Sequence, residues 1–113
     1  MTIQEMLQQY YFHDSLLEKI TYSKESQTLE LLVDFCYWAQ VNYVAGTPET
    51  GRLTVRFHGV SEYNGLSGES VWWGISEMTA EDGRVILIVD DDYHNEVYNV
   101  SFQAISVEVE ALR

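Results

Sequence analysis

The chain has 113 residues and a formal net charge of −12, from 18 acidic and 6 basic residues. The length suits a single domain over residues 1–113 and is too short for separate cofactor and substrate domains. The charge argues against nucleic acid and against anionic membrane surfaces as partners, since proteins bind both of these mainly through Lys and Arg side chains. A basic protein or a cation would be attracted by such a field, although acidity alone also keeps a small domain soluble.

The only cysteine, Cys36, can form no intrachain disulfide and belongs to no CxxC zinc motif. Residues 1–11 lack the basic region and long apolar run of a signal peptide. No stretch approaches the roughly 18 apolar residues that a membrane helix requires. We therefore expect a cytoplasmic protein, and we expect no cofactor.

Residues 2–10 predict a short helix that begins with a capping box, because Thr2 and Glu5 have the required spacing. A helix of two turns is marginal alone, so it is expected to pack on the rest of the chain. Its apolar residues lie on one helical face, and they are Ile3, Met6, Leu7 and Tyr10.

From residue 16 onward, alternating apolar and polar residues predict strands. The first two strands, at 16–22 and 28–39, form a predicted hairpin, and the Asp82-Gly83 dipeptide predicts a second tight turn. The segment 84–89 is apolar on both faces, as in a central, covered strand. Residues 40–51 and the glycine-rich segment from Asn64 to Gly68 are predicted loops. The remaining predicted strands are 52–60, 71–79, 96–104 and 105–110.

These connections are short, so neighbouring strands are expected to be antiparallel. The sequence therefore predicts a mostly β fold of six or seven strands. The sheet is expected to form an antiparallel sandwich or one strongly curved sheet, with the helix on a face or an edge.

Residues 11–15, YFHDS, contain residue types that perform chemistry. An adjacent His and Asp bind metal in one large phosphohydrolase family, but that site needs a helical bundle and further His and Asp ligands. This chain has 3 histidines and little predicted helix. We therefore interpret the segment as a junction, in which Phe12 is buried and His13 faces the negative end of the helix. Asp14 and Ser15 are expected to hold the turn.

A nucleophile is not indicated at Ser15, because no GxSxG motif surrounds it and side chains adjacent on a strand point to opposite faces. Cys36 lies within a predicted strand, where a small apolar filler is the expected role. We predict no catalytic residue.

The run DDDYH is the best candidate for a metal site, because three carboxylates on a turn could bind Ca²⁺ or Mg²⁺. The spacing of a calcium-binding loop is absent, and contiguous acids at a hairpin tip are also common as plain solvated residues. The alternative hypothesis of a metal-dependent, hydrolase-like enzyme would use residues from both motifs: His13, Asp14, Asp90, Asp91, Asp92 and His94.

A candidate partner-binding surface is predicted from aromatic and basic residues on faces that do not belong to the core. Exposed tryptophans and arginines are enriched where proteins bind one another. The adjacent pair Trp72-Trp73 must point in opposite directions if it lies on a strand. An equally open interpretation is a second packed layer formed by another sheet or by a second copy of the chain. The candidate residues are Trp38, Arg52, Arg56, His58, Trp72 and Trp73.

The segment 11–15, followed by a strand with Ile20, resembles small uncharacterised bacterial domains that begin with a His-Asp-Ser or His-Asp-Ala element. The strand at 53–60, LTVRFHGV, and the strands at 98–108 are similar to the middle and the end of those domains. Some of them are similar to immunity proteins, which bind and neutralise a cognate bacterial toxin. The resemblance implies a non-enzymatic, protein-binding domain with no catalytic residue. A homodimeric structural domain is the third hypothesis.

Overall fold

The computed structural model describes residues 1–112. One α-helix, α1, spans Ile3–Gln9 and precedes all of the strands. A 3₁₀ turn at Tyr37–Ala39 separates β2 from β3. The nine strands are β1 Leu16–Ser23, β2 Thr28–Cys36, β3 Thr50–His58, β4 Ser61–Asn64, β5 Gly68–Glu69, β6 Trp73–Glu81, β7 Arg84–Asp91, β8 Glu96–Gln103 and β9 Ser106–Ala111.

All described pairings are antiparallel, and the strands follow the order β4-β8-β7-β6-β1-β2-β3-β9, with β5 also paired to β1. Only Gly59 and Val60 separate β3 from β4, although these strands lie near opposite ends of that order. The sheet must therefore curl until its ends approach each other. Accordingly, the rings of Phe57 on β3 and Phe102 on β8 meet edge to face, with centroids 4.9 Å apart.

The mostly β, strongly curved antiparallel sheet is thus confirmed. The described residues form nine strands rather than six or seven. The additional strands are the short β4 and β5, which lie largely within or beside the predicted glycine-rich loop. They escape detection because their pairing is long-range: Ser61 lies opposite Gln103, and Gly68 lies opposite Ile20.

The core lies on the inner face of the curved sheet, where alternate residues of each strand are buried. The predicted capping box of α1 is present: Glu5 N–H donates to Thr2 Oγ1 at 3.0 Å, and Thr2 N–H donates to Glu5 Oε1 at 2.9 Å. Ile3 and Met6 of the helix join the core, and α1 packs against β6 and β9. Within residues 1–112, no helix has both the length and the apolar character needed to cross a membrane.

Several predicted boundaries differ from the structure: β3 spans Thr50–His58 rather than 52–60, and β7 extends to Asp91 rather than to residue 89. Strand β2 ends at Cys36 rather than at residue 39, because side chains bind its terminal backbone. Ser15 Oγ accepts the Cys36 N–H at 2.9 Å, and the Gln40 amide donates to the Cys36 carbonyl at 2.9 Å. Strand β6 begins at Trp73 rather than at residue 71. The predicted Asp82-Gly83 turn is confirmed, and both residues have the positive φ of a type I′ hairpin.

The prediction that β7 is covered on both faces is wrong for its outer face. Val85, Leu87 and Val89 are fully buried on the inner face, whereas Ile86 on the outer face is 40% exposed. The only α-helix in residues 1–112 packs against β6 and β9, so no second layer covers the outer face of β7 in the part of the chain that is described.

Candidate functional site

The YFHDS segment joins three strands instead of forming a reactive cluster. Phe12 is 2% exposed, as predicted. His13 does not contact the helix end: its Nδ1 donates to the Ser76 carbonyl on β6 at 2.6 Å. The predicted partner of His13 was therefore wrong, because its imidazole hydrogen-bonds to β6 and no described hydrogen bond joins it to the helix end. His13 Nε2 lies 3.4 Å from Asp14 Oδ1, and both side chains are about half exposed.

Asp14 and Ser15 hold this junction, as predicted, but through partners that are distant in sequence. Asp14 has a left-handed backbone (φ 69°), and its N–H donates to the Ile75 carbonyl at 3.0 Å. Ser15 is completely buried, and its carbonyl accepts the Ile75 N–H at 2.8 Å. Its hydroxyl accepts the Cys36 N–H, so the serine links β1, β2 and β6. The Ser15 hydroxyl therefore serves the fold as a buried hydrogen-bond acceptor.

Replacing Ser15 with alanine is expected to lower the free energy of unfolding by about 1–3 kcal/mol, because the buried Cys36 N–H loses its acceptor. Urea unfolding monitored by circular dichroism measures this. Ser67→Ala, at an exposed position, is the matched control and is expected to change stability by less than about 0.5 kcal/mol. Equal stability of the two variants would contradict the structural role of Ser15.

Asp91 is the centre of a hydrogen-bond network at the end of β7. The side chain is 4% exposed, and its Oδ1 accepts the backbone N–H groups of Tyr93 at 3.0 Å and His94 at 2.9 Å. Its Oδ2 accepts His94 Nδ1–H at 2.8 Å and the indole N–H of Trp73 at 3.2 Å, with the Tyr98 hydroxyl at 3.5 Å. The backbone N–H of His94 is the main cause that lowers the Asp91 pKa to about 2.

The three aspartates of the predicted metal site do not converge. Asp90 and Asp91 are consecutive on β7 and therefore point to opposite faces, while Asp92 is exposed in the following turn. Within residues 1–112, no group of three or more His, Cys, Asp and Glu side chains is arranged to hold a metal ion. The pairs His13–Asp14 and Asp91–His94 remain separate, so the metal-dependent hydrolase hypothesis receives no support from geometry.

The predicted basic residues of β3 are engaged with carboxylates on the outer face. Arg56 contacts Glu30 Oε2 at 2.6 Å on β2 and Glu108 Oε1 at 3.1 Å on β9. His58 lies 3.0 Å from the same Glu108 oxygen. His58 and then Arg56 lower the Glu108 pKa, and Glu30 is the main group that raises the Arg56 pKa. These side chains form an ion-pair row across three strands.

Arg52 is also paired, through two hydrogen bonds to the Glu18 carboxylate at 2.9 and 3.0 Å. Arg84 lies 3.5 Å from Glu62. All three arginines in the described part of the chain therefore contact a carboxylate. None of them is a free cationic anchor for an acidic partner.

The three candidate tryptophans have different environments. Trp38 is 51% exposed and lies on the 3₁₀ turn rather than on a strand. Trp72 is 50% exposed, and its ring centroid lies 5.7 Å from that of Tyr93. Trp73 is 8% exposed, packs in the core and donates its indole N–H to Asp91, so little of its surface is open to a partner. Trp38 and Trp72 thus remain available for contact with a partner.

A groove of about 480 Å³ lies along the outer face of β1 and β2, bordered by the chain that connects β5 to β6. We call it the β1–β2 groove. Its apolar lining includes Leu16, Leu32 and Val71, of which Leu16 is 46% and Val71 85% exposed. The Ser70 N–H donates to the Glu18 carbonyl at 3.1 Å and fixes the connecting segment beside β1.

The charged residues of the β1–β2 groove are mostly acidic. Its lining contains Glu18, Asp34 and Glu69 but only one base, Lys19. The Glu18 carboxylate is taken by Arg52. No ion pair within 4.0 Å among the described residues uses the carboxylates of Asp34 or Glu69. These two carboxylates therefore lie beside an apolar surface without an ion pair of their own, and Arg52 lies opposite Asp34 in the β2–β3 register.

Sequence reasoning missed this groove, although a signal for it exists. In an alternating strand only one of two adjacent leucines can face the core. The doublets Leu16-Leu17 and Leu31-Leu32 therefore each place one leucine outside, and the structure buries Leu17 and Leu31. What brings the two outer leucines together is the β1–β2 register, in which Leu32 lies opposite Lys19 and beside Leu16.

No protein-family model, no curated protein and no solved structure matches the chain.

Proposed function

We propose that the chain is a non-enzymatic protein-binding domain whose partner is a basic protein, as in a toxin–immunity pair. The observation that carries this proposal is the internal use of the arginine charges, which leaves Lys19 and Lys24 as the described lysines outside ion pairs. All described arginines and His58 contact carboxylates, in a chain of net charge −12. The surplus acidic residues therefore face solvent without a compensating basic patch. Such a surface attracts a basic protein and speeds its encounter.

Exposed aromatic and apolar side chains supply the contact area that charge alone does not provide. Trp38 and Trp72 are about half exposed, and Tyr93 next to Trp72 is 68% exposed. Large aromatic residues contribute most of the binding energy at many protein interfaces. A reducing cytoplasm is the proposed compartment, because the single cysteine, Cys36, is free.

Co-expression with the product of the adjacent gene tests the proposal, since immunity proteins act on a partner encoded beside them. We expect a complex that co-purifies at low salt and dissociates as salt is raised, because exposed charges are screened. Trp72→Ala is expected to weaken the complex by about tenfold or more if this indole is an anchor. Separate elution of the two proteins at low salt would refute the proposal.

A homodimer is the second candidate, and the open outer face of β7 and β8 favours it. Ile86 is 40% and Val97 61% exposed on that face. Light scattering over a range of protein concentrations measures the mass directly. A monomer at high concentration and raised salt, where charge repulsion is screened, would count against the dimer.

A further inference from the structure

We infer that the β1–β2 groove binds one arginine or lysine side chain of the basic protein partner. The inference rests on the proposed function, which it sharpens by assigning the chemistry of one contact. It combines the shape of the groove, its apolar lining and the two carboxylates, Asp34 and Glu69, that form no ion pair among the described residues.

The lining of the groove matches the stem of a long basic side chain. Arginine and lysine place three or four methylene groups against apolar surface while the charged head remains near water. The exposed Leu16 and the highly exposed Val71 offer such a surface together with Leu32, and Asp34 lies directly opposite Leu16 in the β1–β2 register. Burial of these side chains under the stem would remove their contact with water.

The rim of the groove matches the head group. Asp34 and Glu69 form no ion pair within 4.0 Å among the described residues, although Arg52 lies opposite Asp34 in the β2–β3 register and Asp34 helps to raise the Arg52 pKa. Glu18 is different, because Arg52 holds both of its oxygens. The one base in the groove is Lys19, which lies opposite Glu69 in the β1–β5 register. Lys19 is therefore placed to compete with the entering cation at Glu69, as Arg52 is at Asp34.

The test is a titration of the ¹⁵N-labelled protein with the capped tripeptide Gly-Arg-Gly, followed by amide chemical shifts. The matched probe is Gly-citrulline-Gly, which has nearly the same shape but no charge. We expect the arginine peptide to shift amides of residues 16–19, 32–34 and 69–71, and the citrulline peptide to shift them far less. Equal effects of the two peptides, or shifts concentrated elsewhere, would overturn the inference.

Variants that neutralise selected carboxylates distinguish binding in the groove from a general effect of the net charge. The double variant Asp34→Asn with Glu69→Gln is expected to weaken binding of the arginine peptide about three- to tenfold. The control Glu77→Gln with Glu110→Gln removes the same charge from exposed strand positions outside the groove and is expected to change binding less than about twofold. Lys19→Gln is expected to strengthen binding. Equal losses in the two double variants would show a general charge effect and refute the site.

The two proposals fail in different ways. If the adjacent-gene product binds the wild type and the groove double variant equally well, the groove inference is wrong and the protein-binding function stands. If the arginine peptide occupies the groove but no basic protein partner forms a complex, the proposed function is wrong.

Discussion

Phe57→Ala is expected to lower the free energy of unfolding by about 3–5 kcal/mol. Phe57 is completely buried, and its ring packs edge to face on Phe102 at 4.9 Å. The two residues come from β3 and β8, which lie far apart in strand order and meet only because the sheet curls. Alanine would leave a cavity at the place where the ends of the sheet approach each other. Urea unfolding monitored by circular dichroism measures the loss.

A double-mutant cycle with Phe102→Ala tests the curvature itself. Two aromatic rings in edge-to-face contact are expected to show a coupling energy of about 0.5–1.5 kcal/mol. The exposed-face variant Ile86→Ala is the control and is expected to cost less than about 1 kcal/mol, because this side chain is 40% exposed. Strictly additive losses for Phe57 and Phe102 would mean that the rings do not meet.

Asp91→Ala is expected to cause the largest loss of thermal stability among single alanine variants of residues 90–94, roughly 5–10 °C in Tm. The Trp73 indole N–H and the turn amides of Tyr93 and His94 would all lose their acceptor. Asp92→Ala removes an exposed carboxylate from the same turn and is expected to leave Tm unchanged. Thermal melts followed by circular dichroism compare the two. Equal effects would contradict the structural role of Asp91.

The pH dependence of stability gives a second test of Asp91. Its folded pKa of about 2 lies below the ordinary value of 3.8, so the folded state favours the ionised form. This contribution to stability is complete above the ordinary pKa and is lost as pH falls through about 2. The stability difference between wild type and Asp91→Asn should therefore shrink over that range. Urea unfolding at a series of pH values measures it, and a constant difference would contradict the network.

Local patterns in the sequence predicted most of the long elements of this fold. The capping box at Thr2 and Glu5 sets the start of the helix, and the Asp82-Gly83 turn sets the hairpin between β6 and β7. Alternation of residue types identifies the buried face of β2 directly. The short strands β4 and β5 were not predictable in this way, because two to four residues carry almost no periodic signal and their partners are distant in sequence.

The site was less predictable because its residues acquire their roles through long-range pairing. Asp91 looks like one of three equivalent carboxylates, and only the β6–β7 register places it beside Trp73. His13 looks like a metal ligand or a helix cap, yet it binds a carbonyl 63 residues away. The sequence pattern of β3 indicates basic side chains that are open to a partner. In the structure, the neighbouring strands β2 and β9 place carboxylates next to them.

We propose that the acidic surface of this chain recruits a basic protein. Stopped-flow measurement of the association rate constant with the adjacent-gene product, over a series of salt concentrations, tests it most directly. We expect fast association at low salt that slows by about tenfold or more as salt is raised, while the dissociation rate changes much less. A rate constant that does not depend on salt, or no association at low salt, would contradict it.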